Sequence, residues 1–458
     1  MLPLVILTAI LGHTQAEQPP RRVLVLADAR FTIPEVVGPV VCVRDCNEDG
    51  VADLFLARGT RHGNADRIDI VSGKDGGLIR TVWSREKKAV GEPVWAAGGD
   101  ADGDGYPDLI LGNRRAASNA GEVSVLSGGT GAVLVRKQGL QAEQRLGAAV
   151  LWLGDADGDG RDDFAVSSVE CDLEFTRFLL ERRLNARQGA REFMQDRCVA
   201  PGEVTACSGT DGSVLWRSIG TYPGAGFGSV LSLASDVDHD GVRELIVQPD
   251  LHAGLPARVL SGKTGTVLST LETLFGPVLA AGDVDADNVD DYILVSMDEQ
   301  IIRYTFASSV ISGKTRSQLM SVKHPDEWST HARLVSLGDL DSDGHADIGI
   351  GDTYFCVHES LDRASPPDPR QAGLGQMVSL ESRPRGGRPW ESGCAVVYSG
   401  KSGQPLFGIW AEYGSHVGLG FDLLRIDDIN TDGRDDILVT GHDTAYAFAT
   451  PPLEAAPK

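Results

Sequence analysis

The sequence predicts an all-β fold: a seven-bladed β-propeller of four-stranded antiparallel blades, closed by an N-terminal strand and interrupted by two inserted loops. Three observations carry this. A nine-residue acidic stretch recurs seven times in 458 residues, a Ser-Gly turn recurs in step with it, and short Val/Ile/Leu-rich runs flank both. Radial repetition of four-stranded sheets is the architecture that such a period builds.

The acidic stretches are DCNEDGVAD from Asp45, DADGDGYPD from Asp100, DADGDGRDD from Asp155, DVDHDGVRE from Asp236, DVDADNVDD from Asp283, DLDSDGHAD from Asp339 and DINTDGRDD from Asp428. Each has an oxygen-bearing side chain at positions 1, 3, 5 and 9, and all but one have Gly at position 6; the exception is Asn288, the residue next best able to take a left-handed backbone. Ser-Gly turns begin at Ser72, Ser127, Ser208, Ser261, Ser312 and Ser399. The basic unit is about 55 residues, and the two long units gain their excess between acidic loop and Ser-Gly turn.

Within a unit, one apolar run precedes the acidic loop ("AAVLWLG") and a second follows it ("FAVSS"); a third enters the Ser-Gly turn ("EVSVLSG") and a fourth leaves it ("VLVRK"). Runs this short, rich in β-branched residues and bounded by Gly or Asp, are strands, and "SGKTG" is a hairpin turn. The seventh unit ends at "TAYAFAT" with no Ser-Gly turn and no fourth strand, while "RRVLVLADARF" near the N-terminus is a surplus strand. That surplus strand is expected to complete the last blade and lock the ring.

Crowded carboxylates repel by about 1 kcal/mol per pair at 4 Å in water and about 4 kcal/mol at a protein surface, so a counter-ion is required. Hard cations with flexible oxygen shells fit best, and calcium takes six to eight oxygens. The expected ligands are Asp45, Asn47, Asp49 and Asp53; Asp100, Asp102, Asp104 and Asp108; Asp155, Asp157, Asp159 and Asp163; Asp236, Asp238, Asp240 and Glu244; Asp283, Asp285, Asp287 and Asp291; Asp339, Asp341, Asp343 and Asp347; and Asp428, Asn430, Asp432 and Asp436, for up to seven calcium ions. Position 12, which is Glu in an EF-hand, is apolar in every copy (Leu56, Leu111, Val166, Val247, Leu294, Ile350, Val439), so helical calcium loops are excluded.

The chain resembles the FG-GAP (VCBS/FG-GAP type) repeat propellers, the fold of the integrin alpha head and of many secreted bacterial proteins. The resemblance spans roughly residues 21–450; besides the acidic loops it rests on a looser Phe-Gly signature in "GAGFGSV", "QRLGAAV" and "HVGLGFD". It implies calcium at positions 1, 3, 5 and 9, a binding or adhesion role, and partners docking on the face opposite the acidic loops. Glu244 and Asn288 depart from the pattern, which makes the fourth and fifth loops the expected weakest sites.

The net charge is −23, and the ligand positions hold much of it. Such acidity argues against nucleic acid, which needs a basic footprint. "MLPLVILTAILGHTQA" is a secretory signal with cleavage expected near Ala16, too short to span a membrane. The expected organisation is therefore a signal over 1–16, the propeller over 21–450 with insertions over 171–198 and 356–394, and a tail over 451–458. The location is expected to be secreted, periplasmic or extracellular. Cys171 with Cys198, and Cys356 with Cys394, bracket the insertions and are expected to close them as disulfides, each worth about 3 kcal/mol by chain entropy. Cys207 takes a core strand position and is expected to be a buried thiol; Cys42 and Cys46 are open to a local bridge or to two free thiols.

Both insertions fall between second and third strands, on the face opposite the acidic loops. The first is expected to be helical, with Phe178, Leu179 and Met194 inward and six arginines outward; the second, containing Trp390, is expected to be irregular. The expected function is a non-enzymatic calcium-binding scaffold for an unknown protein or glycan, with no membrane span. The alternative is a carbohydrate-active propeller, a lectin or a polysaccharide lyase-like enzyme. The sequence has no His-Glu-x-x-His, nucleophile elbow or phosphate loop.

Overall fold

The computed structural model describes residues 23–59, 65–85, 93–169, 201–250, 255–271, 278–300, 303–323, 333–352, 393–411 and 417–453. The signal segment, Cys171, Cys198, Cys356 and nearly all of both insertions lie outside these residues.

Seven separate sheets form a ring. The first blade comprises Val36–Cys42, Leu54–Arg58, Arg67–Val71 and Leu78–Ser84, paired antiparallel in chain order. The second blade (Val94–Ala97, Leu109–Asn113, Glu122–Leu126, Val133–Gln138) and the third (Leu146–Gly154, Asp163–Ser168, Glu203–Cys207, Val214–Ile219) repeat the pattern. So do the fourth, from Val230 to Leu271, the fifth, from Val278 to Lys323, and the sixth, from Arg333 to Trp410. First strands of successive blades touch from the second blade to the seventh, and the seventh touches the first, which closes the circle.

The N-terminal segment closes the ring, as expected, but with a different division of labour. Strand β1 (Val23–Val25) runs parallel to Pro405–Trp410 and adds a fifth strand to the sixth blade. Strand β2 (Phe31–Pro34) pairs antiparallel with Thr444–Phe448 and supplies the fourth strand of the seventh blade. The residues that complete the last blade are thus the end of the surplus segment and the three that follow it. A short 3-10 turn, Leu26–Asp28, carries the chain from one blade to the next.

The core is a set of slabs between blades. Seven buried clusters are found among the described residues, each joining two neighbouring blades. Leu54 and Leu56 of the first blade meet Ile33, Leu438 and Ala447 of the seventh; Leu153, Ala206 and Trp216 meet Leu245 and Leu260 between the third and fourth. A middle strand therefore buries both faces, and "LFLA" reads as an unbroken apolar run with Leu54, Phe55 and Leu56 fully buried. Outer strands show a wet face, as at Leu78 and Val133. Each buried Leu, Val or Phe contributes about 1.5–3 kcal/mol, so this pattern holds the blades together.

Cys207 is buried in the slab between the second and third blades. Cys42 packs in the slab on one side of the first blade and Cys46 in the slab on the other, and both are free thiols; they form no local bridge. Cys394 opens the third strand of the sixth blade and is buried.

Candidate metal centres

Every acidic loop joins the first two strands of a blade. The local chemistry explains its shape. The position 1 carboxylate accepts a hydrogen bond from the backbone N–H of position 6 in all seven loops, at 2.6–3.1 Å. The position 5 carboxylate accepts from the N–H of position 7 at 2.7–3.1 Å. Position 6 is left-handed throughout, from Asn288 at φ 65 to Gly241 at φ 92, so Gly is favoured there.

Position 4 is left-handed in every loop as well: Glu48, Gly103, Gly158, His239, Ala286, Ser342 and Thr431 all have positive φ. Sequence reasoning missed this because only the second and third loops have Gly there. A non-glycine in this region costs roughly 1–2 kcal/mol.

Position 9 is fully buried in all seven loops. One of its oxygens accepts from the N–H of position 2, at 2.7–2.9 Å. The other accepts from the glycine N–H of the same blade's Ser-Gly turn, or from Thr450 in the seventh blade, at 2.7–3.2 Å. Position 9 thus ties acidic loop to Ser-Gly turn. The turn glycine is fixed by the same approach: a Cβ at Gly73, Gly128, Gly209, Gly262, Gly313 or Gly400 would collide with the backbone carbonyl of loop position 8.

In five loops, positions 1, 3 and 9 converge. One carboxylate oxygen from each lies within 4.8 Å of the others in the sets Asp100, Asp102, Asp108; Asp155, Asp157, Asp163; Asp236, Asp238, Glu244; Asp283, Asp285, Asp291; and Asp339, Asp341, Asp347. The fourth and fifth loops, expected to be weakest, are among these five. The first and seventh have Asn47 and Asn430 at position 3, which leaves carboxylates at only two of these three positions, 1 and 9. Position 5 stands outside these triads. Its second oxygen takes the Ser72 hydroxyl on Asp49 at 3.0 Å, the Thr210 hydroxyl on Asp159 at 2.7 Å and the Ser261 hydroxyl on Asp240 at 3.3 Å.

The residues fit a cation. Oδ1 atoms of Asp100, Asp285, Asp341 and Asn430 are buried with no hydrogen-bond partner, each costing about 1–3 kcal/mol if left so. Burial, reinforced by neighbouring carboxylates, pushes Asp108 and Asp347 up to about 7, and Asp291 and Asp436 up to about 6, against the pull of their backbone donors. Asp53, Asp163 and Glu244 are raised for the same leading reason. At position 1, burial works upward on Asp45 and Asp428, but four backbone N–H groups outweigh it and hold both below the ordinary range. The loops are therefore built to receive positive charge among oxygens that cannot all stay ionised alone. At the first loop, burial, with neighbouring carboxylates, drives the Cys42 thiol to about 11 and the Cys46 thiol to about 12, which makes both poor nucleophiles.

A ring of seven blades with a carboxylate cup between the first two strands of each defines the class: an acidic-loop β-propeller. The family profile described as the FG-GAP repeat matches residues 93–126, the span of the second blade from its first strand to its third. The chain thus carries an FG-GAP repeat within a seven-bladed propeller. No curated protein matches it in sequence. Similar solved structures include the crystal structure of Saccharomyces cerevisiae Sqt1, at 10% identity and TM-score 0.47, covering 93% of this chain and 99% of that one. Another is quinohemoprotein alcohol dehydrogenase from Comamonas testosteroni, at 10% identity and TM-score 0.45, covering 89% of this chain and 68% of that one. Among the described residues, no helix is long and apolar enough to cross a membrane.

Proposed function

We propose that this protein is a secreted or periplasmic calcium-loaded propeller that acts as a non-enzymatic binding or adhesion scaffold for a protein or glycan. The observation that carries the metal half is the convergence of three carboxylates within 4.8 Å in five loops, with buried oxygens left unpartnered in several. In each such loop positions 1, 3 and 9 would hold the ion, with position 5 completing the oxygen shell. Calcium supplies charge compensation there, and the backbone hydrogen bonds of the loop hold the carboxylates in place. The millimolar calcium outside cells suits sites of this kind.

The binding half rests on the division of the ring into two faces. One face is filled by acidic loops and the Ser-Gly turns tied to them. The opposite face carries the loops between second and third strands and those between blades, where sequence and length vary; loops of that kind, held by a rigid scaffold, are where binding residues concentrate. Calorimetric titration of the metal-free protein with calcium tests the first half: five or more ions per chain is the expected result, and fewer than three would overturn it. A glycan array and a pull-down, each with calcium and with chelator, test the second. Depolymerisation of a polysaccharide by the purified protein would replace the scaffold with an enzyme.

A further inference from the structure

On the face opposite the acidic loops, the second blade carries a charge inversion. Arg114, Arg115, Asn119 and Arg145 line one cleft of about 190 Å³. Arg114, Arg115 and Asn119 sit on the loop between Leu109–Asn113 and Glu122–Leu126, and Arg145 on the connection to the third blade. The two loops are fastened together: Arg145 N–H donates to the Asn119 carbonyl at 3.0 Å and Leu146 N–H to the Ala120 carbonyl at 3.0 Å. A Cβ on Gly121 or Gly139 would collide with the facing backbone, so the two loops pack backbone against backbone.

The backbone here is costly. Ala117, Ser118 and Asn119 are three successive left-handed residues, and Glu143 and Arg145 are left-handed too. Such strain persists where the surroundings over-determine it and gathers at functional sites. Its result is that Asn119 and Arg145 are held together at the cleft. Glu143 is the acid within it: its carboxylate accepts from Asn119 Nδ2 at 3.0 Å and from Arg145 Nη2 at 3.0 Å, and these two donors hold it below its ordinary range. Glu143 thereby orients Asn119 and Arg145, while Arg115 stands exposed beside them.

We propose that this cleft is an oxyanion-binding site that takes the carboxylate or sulfate of one acidic sugar unit. Guanidinium groups bind planar and tetrahedral oxyanions with paired N–H donors, and three of them line this cleft, Arg145 already holding Glu143 through Nε at 3.3 Å and Nη2 at 3.0 Å. Ligand pockets for drug-sized molecules run to about 300–1,000 Å³, so this cleft is the size of a single ring or headgroup and too small for a peptide segment. The inference rests on the proposed binding face but not on the metal.

Calorimetry on the full chain in calcium tests it, with sodium glucuronate as the carboxylate probe and sodium sulfate as the other, against chloride at matched ionic strength. Saturable binding at one site per chain is expected for at least one probe. Arg114→Ala with Arg115→Ala should weaken it tenfold or more, and the single exposed change Arg115→Gln threefold or more if the double variant does not fold. Glu143→Gln, which removes the competing negative charge, should tighten binding about threefold, and Arg136→Ala, on the far strand beside Glu122, should leave it unchanged. No saturable binding of either probe, wild-type affinity in the Arg115 variants, or weaker binding in Glu143→Gln would each overturn the site. A chain that binds the probe but no calcium would sink the metal reading alone; one that binds calcium but no probe would sink this site alone.

Discussion

The third and sixth acidic loops offer the same four carboxylates, and in both the oxygens of positions 1, 3 and 9 draw within 4.8 Å. They differ in what surrounds the cup. In the third loop the left-handed position 4 is Gly158, and the Ser-Gly turn contributes a hydroxyl, Thr210 Oγ1, to Asp159 at 2.7 Å. In the sixth loop position 4 is Ser342, and the turn contributes a cation: Lys401 Nζ donates to the Asp343 carbonyl at 3.4 Å and sits 4.0 Å from its carboxylate. The fourth and fifth loops follow the sixth, with His239 and Lys263, and with Ala286 and Lys314. One donor set is thus mounted on two backbones. The lesson is that ligand identity alone does not rank these sites; backbone strain and a nearby ammonium group are the differences expected to set the third above the sixth.

The largest effect expected is loss of metal. At a calcium concentration 100 times its Kd each occupied loop adds about 2.7 kcal/mol, so five loops together rival a typical whole-domain stability of about 5–15 kcal/mol. Chelation should lower the melting temperature by more than roughly 10 °C in calorimetry. The chelated protein should also respond to pH in a defined direction. Asp108 and Asp347 have folded values raised to about 7, above those of an unfolded chain, so the folded state holds their protons more tightly. Their contribution to the stability of the chelated form should be greatest below about pH 4 and be lost as pH rises through about 7, and calcium should erase that slope. A chelated protein that gains stability from pH 5 to pH 7.5 would contradict the assignment.

Next in size are Asp163→Ala and Asp347→Ala. Each strips acceptors from buried N–H groups of Ala156 and Gly209, or of Leu340 and Gly400, at about 1–3 kcal/mol apiece. Losses of about 3–5 kcal/mol in urea unfolding, equal for the two loops, are expected because this tether is common to both. Ser342→Gly should then stabilise the chelated protein by about 1 kcal/mol and Gly158→Ala destabilise it by as much, since only the left-handed backbone is altered. The smallest change is Lys401→Met, which should tighten calcium at the sixth loop about two- to threefold, the scale of an exposed ion pair; an unchanged affinity would remove Lys401 from the comparison.

Much of this was legible in the chain because its signals are local and repeated. The acidic period counted the blades, Asp and Gly spacing located the cups, and the absent fourth strand after "TAYAFAT" announced closure from elsewhere. What escaped depends on distant partners. "VLV" and "FTIP" are both short extended runs, and nothing within them tells which joins the sixth blade and which the seventh. Position 9 read as one ligand among four, because its second duty is to a turn some 20 residues later in most blades, as from Asp53 to Gly73. The Ser-Gly glycine read as a hairpin residue, whereas the carbonyl that forbids a side chain there belongs to another loop. The arginine cleft assembles from two connections whose closeness only the folded ring creates.

The route of residues 23–34 has a mechanical corollary. Within a dozen residues the chain lies along Gly408–Trp410 in the sixth blade and then along Thr444–Ala447 in the seventh, so one segment rivets two wedges of the wheel at its seam. Tension applied at that segment would load the parallel β1 contact in shear, with all its hydrogen bonds resisting at once, before β2 felt any of it. The seam of the circle is in this way placed behind its own guard.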